Sequence, residues 1–460
     1  MLTRIEIDGF KAFRDFTLDL ETFQVIIGPN GVGKSNLFDA MQLLARLTEN
    51  DLWTAFQASR GEAEELFSLQ PGGQPVDEMR FAVELLIESR VRDEWGRSED
   101  LQDTRLRYEL ALCREYDEKG QERLRVGYES LKRILVGEDQ WRKRHPEARR
   151  SKFIHNSRRG TPFISPIPTE EGEEITIALH QDGRGGRKRQ IPAGPMERTV
   201  LGSVNTIEYP HVFAAREEMR RWRFLQLNPE VLRQPDSIRG PATLSANGDN
   251  LARTLARIKR EEEEYILNDI SRDLSNLVPG FLNVEIEEDK TRELYLIYAN
   301  IQDGRRFSSR TLSDGTLRLL ALITLANDPE YKGLLCFEEP ENGVHPFRVT
   351  QMVELLRNLT TDFEDETEIG WPLRQLLVNT HSPLFMAQLN DTELLFAYMP
   401  TRIDPADGGT ATRVTRIVPV RMELLPDPQE PFFTHQQVKK YMHSADWKAA
   451  ERRLIGEGAV

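Results

Sequence analysis

Cysteine and long apolar segments are both scarce in this chain, and each shortage excludes a class of protein. Only two cysteines, Cys113 and Cys336, occur in 460 residues. A disulfide-stapled secreted fold is therefore excluded, and a reducing cytoplasm is the expected location. No apolar run approaches the roughly 18 residues that cross a bilayer. The first residues, MLTRIEIDGFKAF, carry charges where a secretion signal is apolar. We expect a cytoplasmic protein that makes no membrane contact.

An excess of positive charge is also lacking. The formal net charge of −14 argues against a surface that is basic everywhere and built to hold nucleic acid. It leaves room for a local basic groove. A hydrophobic content of 39% and a charged content of 30% are typical of a folded globular protein. The length allows about two to three domains.

A glycine-rich segment lies between a predicted strand and a predicted helix. Residues 5–13 and 16–27 alternate apolar and polar side chains, which predicts strands. The second run ends immediately before residues 28–35, which read GPNGVGKS. Apolar residues then recur at three- and four-residue steps, as on a helix. Strand, glycine loop and helix form the context that a phosphate-binding loop requires.

The segment matches the phosphate-loop pattern G-x-x-x-x-G-K-[ST]. Glycines allow successive backbone N–H groups to converge on phosphate oxygens at the start of a helix. Lys34 would reach the β- and γ-phosphates, and the Ser35 hydroxyl would bind Mg²⁺. The other reading is a glycine turn without function. The candidate nucleotide-binding residues are Pro29, Asn30, Gly31, Val32, Gly33, Lys34, Ser35 and Asn36.

Two carboxylates follow a buried strand in the second half of the chain. Residues 333–340 read GLLCFEEP, an apolar strand followed by Glu338 and Glu339. Open α/β sheets bind their ligands at such strand ends. Glu338 would hold the Mg²⁺ shell through water, and Glu339 would polarise the attacking water. The alternative is a solvated acidic turn.

Two further motifs flank these carboxylates. Residues 312–316, LSDGT, open an apolar helix, so that Ser313 and Gly315 could offer a hydroxyl and N–H groups to an anion. His381 follows the apolar strand 376–378 and could hydrogen-bond a γ-phosphate. Taken alone, Ser313 reads as an ordinary helix cap and His381 as a structural histidine.

The order of the motifs GPNGVGKS, LSDGT, FEEPENGVHP and NTHSP resembles the ABC-type ATPase heads of SMC and RecF proteins. It is still more similar to the OLD-like predicted ATPases of bacterial defence operons. The resemblance covers residues 1–50 and 305–400. It implies an α/β P-loop NTPase head with mixed sheets, split by an inserted α+β and helical lobe at 51–304. Residues 401–460 would form an extension with a final helix over 435–454.

The resemblance also implies an assembly. In such heads two subunits enclose two nucleotides, and Ser313 and Gly315 of one copy would complete the site around Lys34 of the other. Residues 341–346 would cross the interface. The implied catalytic residues are Lys34, Glu339 and His381, with ATP and Mg²⁺ as ligands. Glu338 stands where an aspartate is usual. Gln226 is the candidate for the Q-loop glutamine, against the reading of an ordinary surface residue.

The inserted lobe is predicted to contain strands, basic loops and one long helix. Residues 80–89, 105–114 and 281–301 read as strands, and 138–160 and 183–198 as loops. An apolar stripe over 249–278 predicts a single helix. Residues 394–399 and 412–420 read as a hairpin.

Basic residues concentrate in three clusters, at 142–159, 184–189 and 216–223. Clusters of this kind neutralise phosphates, so nucleic acid could bind there. Solvated charged loops are the other reading.

We interpret the chain as an ATPase that forms at least a dimer. It would act as sensor or scaffold of a phage-defence complex with a separate effector, a nuclease or a toxin. A RecF-like DNA repair ATPase and a slow ATP-dependent scaffold that holds a toxin are the alternatives. An in-chain nuclease is disfavoured, because Asp404, Asp407 and Asp427 lie in sequence broken by proline and glycine. A transporter role is disfavoured as well.

Overall fold

The structure is a computed structural model that describes most of the chain. The described residues are 1–70, 72–116, 119–147, 153–157, 160–167, 176–182, 188–193, 196–262, 265–365, 372–403, 411–421, 433–434 and 437–438. Two predicted features fall outside them. The final helix at 435–454 lies outside apart from its helical residues 437–438, and so do Asp404, Asp407 and Asp427.

The strands are numbered in chain order. The first eleven are β1 Leu2–Asp8, β2 Phe16–Asp19, β3 Phe23–Ile27, β4 Glu78–Leu86, β5 Arg90–Arg92, β6 Ser98–Asp100, β7 Arg105–Tyr116, β8 Glu122–Arg133, β9 Ile164–Ile167, β10 Thr176–His180 and β11 Lys188–Pro192. The others are β12 Arg223–Leu225, β13 Asp236–Ser237, β14 Phe281–Asp289, β15 Leu294–Ile301, β16 Arg306–Ser308, β17 Gly333–Glu338, β18 Arg374–Thr380, β19 Leu394–Tyr398, β20 Thr401–Ile403, β21 Ala411–Arg413, β22 Arg416–Arg421 and β23 Phe433–Thr434.

The helices are numbered in the same way. They are α1 Lys34–Leu47, α2 Leu52–Gln57, α3 Gln140–Arg144, α4 Val200–Ser203, α5 Pro210–Arg220, α6 Pro229–Leu232, α7 Leu251–Glu261, α8 Tyr265–Leu277, α9 Asp314–Ala326, α10 Val349–Arg357 and α11 Pro383–Met386. Single 3₁₀ turns occur at Ala63–Leu66, Ser309–Thr311, Pro346–Arg348 and Asp391–Glu393.

A seven-stranded sheet lies at the centre, in the order β12-β17-β18-β3-β19-β22-β23. Its first five strands are parallel neighbours, and β22 pairs antiparallel with β19. β3 is buried along its whole length, and β17 along all but its last residue. Alternate residues of β17 pack into two different cores: Cys336 joins the core that contains α1, and Phe337 the core that contains α9. Helices on both faces explain why these strands are continuously apolar.

An eight-stranded antiparallel sheet covers the other side of α1, in the order β11-β10-β9-β8-β7-β4-β1-β2. The inward side chains Ile5 and Ile7 of β1 share a core with Leu37 and Met41 of α1. Helix α1 is therefore enclosed between two sheets, which fixes its N-terminus relative to the central sheet. Strands from residues 51–304 are hydrogen-bonded in both sheets to strands from residues 1–50 and 305–400.

The predicted helix over 249–278 is wrong in its continuity. The structure has two helices, α7 and α8, and Glu262 leaves helical geometry with φ −107° and ψ 12°. The first helix ends at Glu261 and the second begins at Tyr265. Both helices bury their apolar stripes, including Leu255 and Leu274, in the core beneath α9.

Other predicted elements differ in their boundaries. The run 16–27 is two strands, β2 and β3, which belong to different sheets. The segments read as loops contain α3 and β11. The predicted hairpin is confirmed, because β19 pairs antiparallel with β22 from Leu395 opposite Pro419 to Tyr398 opposite Arg416. Among the described residues, no helix has both the length and the apolar composition of a membrane span.

Candidate nucleotide site

The four candidate segments meet at one edge of the central sheet. β3, β18, β17 and β12 are parallel neighbours, and the register pairs Ile27 with Thr380 and Glu338 with Asn379. Because parallel strands present their carboxyl ends at the same edge, the segments that follow them lie side by side. Residues 28–35, Glu339, His381 and Gln226 follow these strands, and Glu338 is the last residue of β17.

The glycine loop has the backbone of an anion cradle. Gly31 and Gly33 have φ values of 82° and 95°, a left-handed region that glycine adopts without strain. No side chain caps the start of α1, whose N-cap residue is Gly33. The first amide N–H groups of α1 are therefore directed at the loop's concave side, where a phosphate would be held by N–H donors and the helix dipole.

Thr415 supports this loop from the C-terminal part of the chain. The threonine is fully buried, its Oγ1 donates to the carbonyl of Val32 at 3.0 Å, and its N–H donates to the carbonyl of Ala12 at 2.9 Å. A side chain at Gly33 would collide with the Thr415 hydroxyl. The loop is thus held in its folded shape by a residue that no motif contains.

Lys34 is held inside the loop that precedes it. Its Nζ donates to the carbonyls of Gly28 at 2.6 Å and Pro29 at 2.8 Å, and only 7% of the residue is exposed. Burial lowers the pKa of Lys34 to about 8, against the opposing effect of the Glu339 and Glu338 carboxylates. The ammonium is therefore poised to gain from an added negative ligand.

Glu339 and His381 are brought together as a pair. His381 Nδ1 lies 2.8 Å from Glu339 Oε1, and Asn342 Nδ2 donates to Glu339 Oε2 at 2.6 Å. The Glu339 backbone is left-handed, with φ 47°, and its N–H donates to the Asn379 carbonyl at 2.8 Å. A non-glycine residue in this region stores strain, a feature concentrated at functional sites.

Glu338 lies on the α1 side of the sheet. It shares a strand face with Cys336, whose Sγ is 3.8 Å from Met41 Sδ of α1. Ser35 is within reach of the same face, because Asn379 Nδ2 is 3.4 Å from Ser35 Oγ. The two predicted Mg²⁺ ligands are therefore on one side of the sheet. Among the residues described, no group of three or more His, Cys, Asp or Glu side chains is arranged to hold a metal by itself.

The start of α9 packs on the loop that follows β17. Ser313 is the exposed N-cap residue, and its Oγ accepts from the N–H of Thr316 at 3.2 Å. A Cβ atom on Gly315 would approach the carbonyl oxygen of Gly343 to 2.5 Å, so only glycine allows this contact. Asp314 forms an ion pair with Arg233. Ser313 and Gly315 thus adjoin the loop that carries Glu339.

Two oppositely charged groups are desolvated near the Glu339–His381 pair. Burial raises the pKa of Glu341, whose Oε1 accepts from the hydroxyl of Thr380 next to His381. Burial lowers the pKa of Arg318 on α9, with Asp314, Glu341 and Glu339 opposing that shift. Electrostatic attraction therefore links α9 to the loop after β17.

Gln226 follows β12, whose Leu225 is paired with Phe337 of β17. The next position along each strand places Gln226 beside Glu338, and the glutamine is exposed. Its N–H donates to the carbonyl of Ala246 at 2.8 Å. The structure brings this predicted residue to the site edge.

The basic clusters are only partly described. In the third cluster, Arg216 Nε donates to the Thr48 carbonyl, Arg220 pairs with Glu217 and Glu49, and Arg221 pairs with Glu88. These contacts neutralise much of the charge there. Several residues of the other two clusters lie outside the described part of the chain, namely Arg149, Arg150, Lys152, Arg158, Arg159, Arg184 and Arg187.

Sequence reasoning missed two residues of the site, Asn379 and Thr415. Asn379 had a weak signal, since it is a polar residue at the end of an otherwise apolar strand just before His381. Thr415 had none, because it contacts the glycine loop only through the folded chain.

The strand order and the motifs at this edge define an ABC-type ATPase head of the P-loop NTPase class, the class of the SMC and RecF heads, and the predicted fold is confirmed. Residues 23–387 match the family described as "AAA domain, putative AbiEii toxin, Type IV TA system". Since that range is more than half of the chain, the protein belongs to this family.

Solved SMC head structures are similar to the chain. One is an Smc head bound to the C-winged helix domain of ScpA, with 14% identity, a TM-score of 0.45, and coverage of 91% of this chain and 97% of that one. The Thermotoga maritima SMC head has 14% identity, a TM-score of 0.37, and coverage of 91% and 99%. The Pyrococcus yayanosii Smc head with coiled coil and joint has 14% identity, a TM-score of 0.41, and coverage of 91% and 97%. No curated protein matches the sequence.

The lowered pKa of Lys34 predicts proton uptake on nucleotide binding. Free Lys34 has a pKa of about 8, so it is mostly charged near pH 7 and mostly neutral near pH 9. Phosphates favour the ammonium and raise its pKa, so binding near pH 9 takes up close to one proton and binding near pH 7 almost none. Affinity then falls by up to about 10-fold for each pH unit above 8.

Calorimetric titration with a non-hydrolysable ATP analogue, in buffers of different ionisation enthalpy, measures this uptake. A Lys11→Met variant is the matched control, because Lys11 pairs with Asp39 of α1 rather than with the loop. It is expected to retain the uptake. Binding near pH 9 without proton uptake would show that Lys34 is already charged in the free protein.

Proposed function

We propose that this protein binds ATP with Mg²⁺ and hydrolyses it. The observation that carries the proposal is the meeting of the glycine loop, Glu338 and the Glu339–His381 pair at one sheet edge. The residues fit a nucleoside triphosphate: two left-handed glycines open the cradle, and Lys34 is a buried cation that donates to the carbonyls of Gly28 and Pro29 in its own loop.

Each residue has a proposed role. Lys34 and the N–H groups of residues 31–36 would hold the β- and γ-phosphates. Ser35, and Glu338 through water, would hold Mg²⁺, which when bound neutralises phosphate charge. Gln226 would contact the same shell from β12.

Glu339 would act as the general base. As a water oxygen forms its bond to the γ-phosphorus, the bond to the β–γ bridging oxygen breaks and Glu339 takes the water proton. His381 and Asn342 hold the carboxylate from both of its oxygens, so it is oriented before the reaction. With both ring nitrogens protonated, His381 would also donate from Nε2 to the γ-phosphate, so that the ring would bridge Glu339 and the phosphate.

Replacement of the proposed base separates binding from hydrolysis. We expect Glu339→Gln to lower the hydrolysis rate by at least about 100-fold, because the amide cannot accept the water proton, and to retain ATP affinity. Phosphate release and equilibrium binding measure the two quantities. Glu354→Gln on the exposed side of α10 is the control and is expected to hydrolyse normally. Hydrolysis by Glu339→Gln at the wild-type rate would assign the base elsewhere.

We also infer that two copies associate across this edge, with Ser313 and Gly315 of one completing the site of the other. Two exposed apolar side chains, one in the 3₁₀ turn Pro346–Arg348 and one in α11, support this. Phe347 is 88% exposed and Leu384 is 51% exposed. Phe347 stacks on His345 at 5.3 Å between ring centroids, so it is presented outward. Phe347 follows the segment that carries Glu339, and Leu384 follows His381, so an association that covers these segments would also cover both side chains.

Removal of the most exposed of these side chains tests association. In the Glu339→Gln background with ATP, we expect Phe347→Ser to raise the dimer dissociation constant by about 30-fold, the effect of losing a ~2 kcal/mol anchor. Tyr265→Ser is the control, since Tyr265 is also exposed but lies at the start of α8. Sedimentation equilibrium gives both constants. Equal association of the two variants would place the interface elsewhere.

We propose, finally, that nucleotide-dependent association serves an anti-phage defence complex with a separate effector, a nuclease or a toxin. The family description, which names a putative toxin and a type IV toxin–antitoxin system, supports this role. Nucleotide would govern when the assembly forms and when it releases the effector.

Phage plating tests the defence role. Cells that carry the gene with its native neighbours should reduce plaque formation, and Lys34→Ala should abolish that protection because the loop no longer holds phosphate. Lys11→Ala is the control at a second partly buried lysine. Equal protection with Lys34→Ala would separate any defence role from nucleotide.

A further inference from the structure

A buried amide lies beside the proposed metal ligands. Asn379 is the second-last residue of β18, and only 5% of it is exposed. Its Cα is paired with Glu338 in β17 and with Ile26 in β3. The preceding residues of the strand, 376–378, are apolar and buried. A polar side chain in such a strand costs stability unless its hydrogen bonds are made.

Only one of the two polar atoms of this amide has a protein partner. Nδ2 donates to Ser35 Oγ, with 3.4 Å between the atoms. Oδ1 is buried and has no hydrogen-bond partner among the described residues. Buried polar atoms in proteins are almost always satisfied, so an orphan beside a proposed site points to a partner that arrives with the ligand.

The amide is on the correct side of the sheet for such a partner. Side chains alternate along a strand, and Asn379 shares a face with Leu377, which packs in the core that contains α1. Glu338 faces the same side through its neighbour Cys336 in that core. Ser35, Glu338 and Asn379 are therefore on the side of the sheet that faces α1, and Asn379 Nδ2 contacts Ser35 Oγ there.

We propose that Asn379 is a positioning residue for the Mg²⁺ of this site. Nδ2 orients the Ser35 hydroxyl, and Oδ1 accepts a hydrogen bond from a water molecule of the ion's shell. Magnesium in nucleotide sites keeps several of its waters, and each water needs acceptors. Asn379 Oδ1 supplies a second acceptor for these waters in addition to the Glu338 carboxylate. This inference rests on the proposed function, since it needs a magnesium–nucleotide complex here.

The test measures binding of a fluorescent ATP analogue in Mg²⁺ and in EDTA. The quantity compared is the gain in affinity that Mg²⁺ provides. Asn379→Leu removes both polar atoms at similar volume, and we expect it to reduce this gain by about 10-fold or more, as loss of groups that support a metal's ligands does. Affinity in EDTA should stay within about 2-fold of wild type. Asn379→Asp keeps an oxygen acceptor and should retain most of the gain.

Gln375→Leu is the matched control. Gln375 is the other buried amide of β18 and bonds to the carbonyl and N–H of Leu2 at the far end of the strand. Thermal unfolding compares the stability of the two leucine variants. The control should keep the full Mg²⁺ gain even if it unfolds at a lower temperature. If Asn379→Leu does not fold, Asn379→Ala replaces it in the same measurement.

Ser35→Ala distinguishes a failure of the proposed nucleotide site from a failure of the role proposed for Asn379. It should lose the Mg²⁺ gain if the proposed site is correct, and retention of the gain would overturn that site. If Ser35→Ala loses the gain while Asn379→Leu or Asn379→Ala keeps it in full, the role of Asn379 is overturned and the proposed function stands.

Discussion

The parallel pairing of β3 with β18 is the contact on which the rest of the site depends. It joins residues 23–27, near the start of the chain, to residues 376–380, near its end. Without it, the glycine loop would have no carboxylate or histidine beside it. The pairing is buried on both faces, by α1 and by α9. Burial of continuously apolar strands stabilises this long-range contact in spite of the chain entropy lost in closing so large a loop.

The sequence predicted the parts that are encoded locally. The phosphate-loop pattern, the strand before it and the helix after it depend on neighbouring residues, and the structure has each of them. Glu339 and His381 could be assigned to one edge because both follow apolar strands. The hairpin of β19 and β22 was also readable, since its two apolar runs are close in sequence.

The features that were mispredicted depend on the folded chain. Residues 16–27 look like one strand, yet β2 and β3 join different sheets. The alternation of apolar and polar side chains does not indicate which sheet a strand joins. The stripe over 249–278 is continuous in apolar positions, yet α7 ends at Glu261 and the backbone leaves helical geometry at Glu262. The support that Thr415 gives to Val32 links opposite ends of the sequence.

The carboxylates beside Lys34 at the site edge outnumber that single positive charge. The Glu338 and Glu339 carboxylates face the buried Lys34, whose pKa is already depressed by burial. An added anion alone would meet these two carboxylates, and a divalent cation alone would meet Lys34. A phosphate group together with a divalent cation satisfies both sets, because each ligand offsets the repulsion felt by the other. This coupling favours a magnesium–nucleotide complex over either component.

One continuous loop carries both the proposed base and the proposed contact surface. Residues 339–348 begin with the strained Glu339, pass against Gly315 at Gly343 and end at the exposed Phe347. Strain at Glu339 persists only while His381, Asn342 and the Asn379 carbonyl hold it. Loss of the γ-phosphate would remove a partner of His381 and weaken that hold. The backbone of Glu339 could then change conformation and shift the loop as far as Phe347. Hydrolysis of ATP and the association of two copies would thus be linked through residues 339–348.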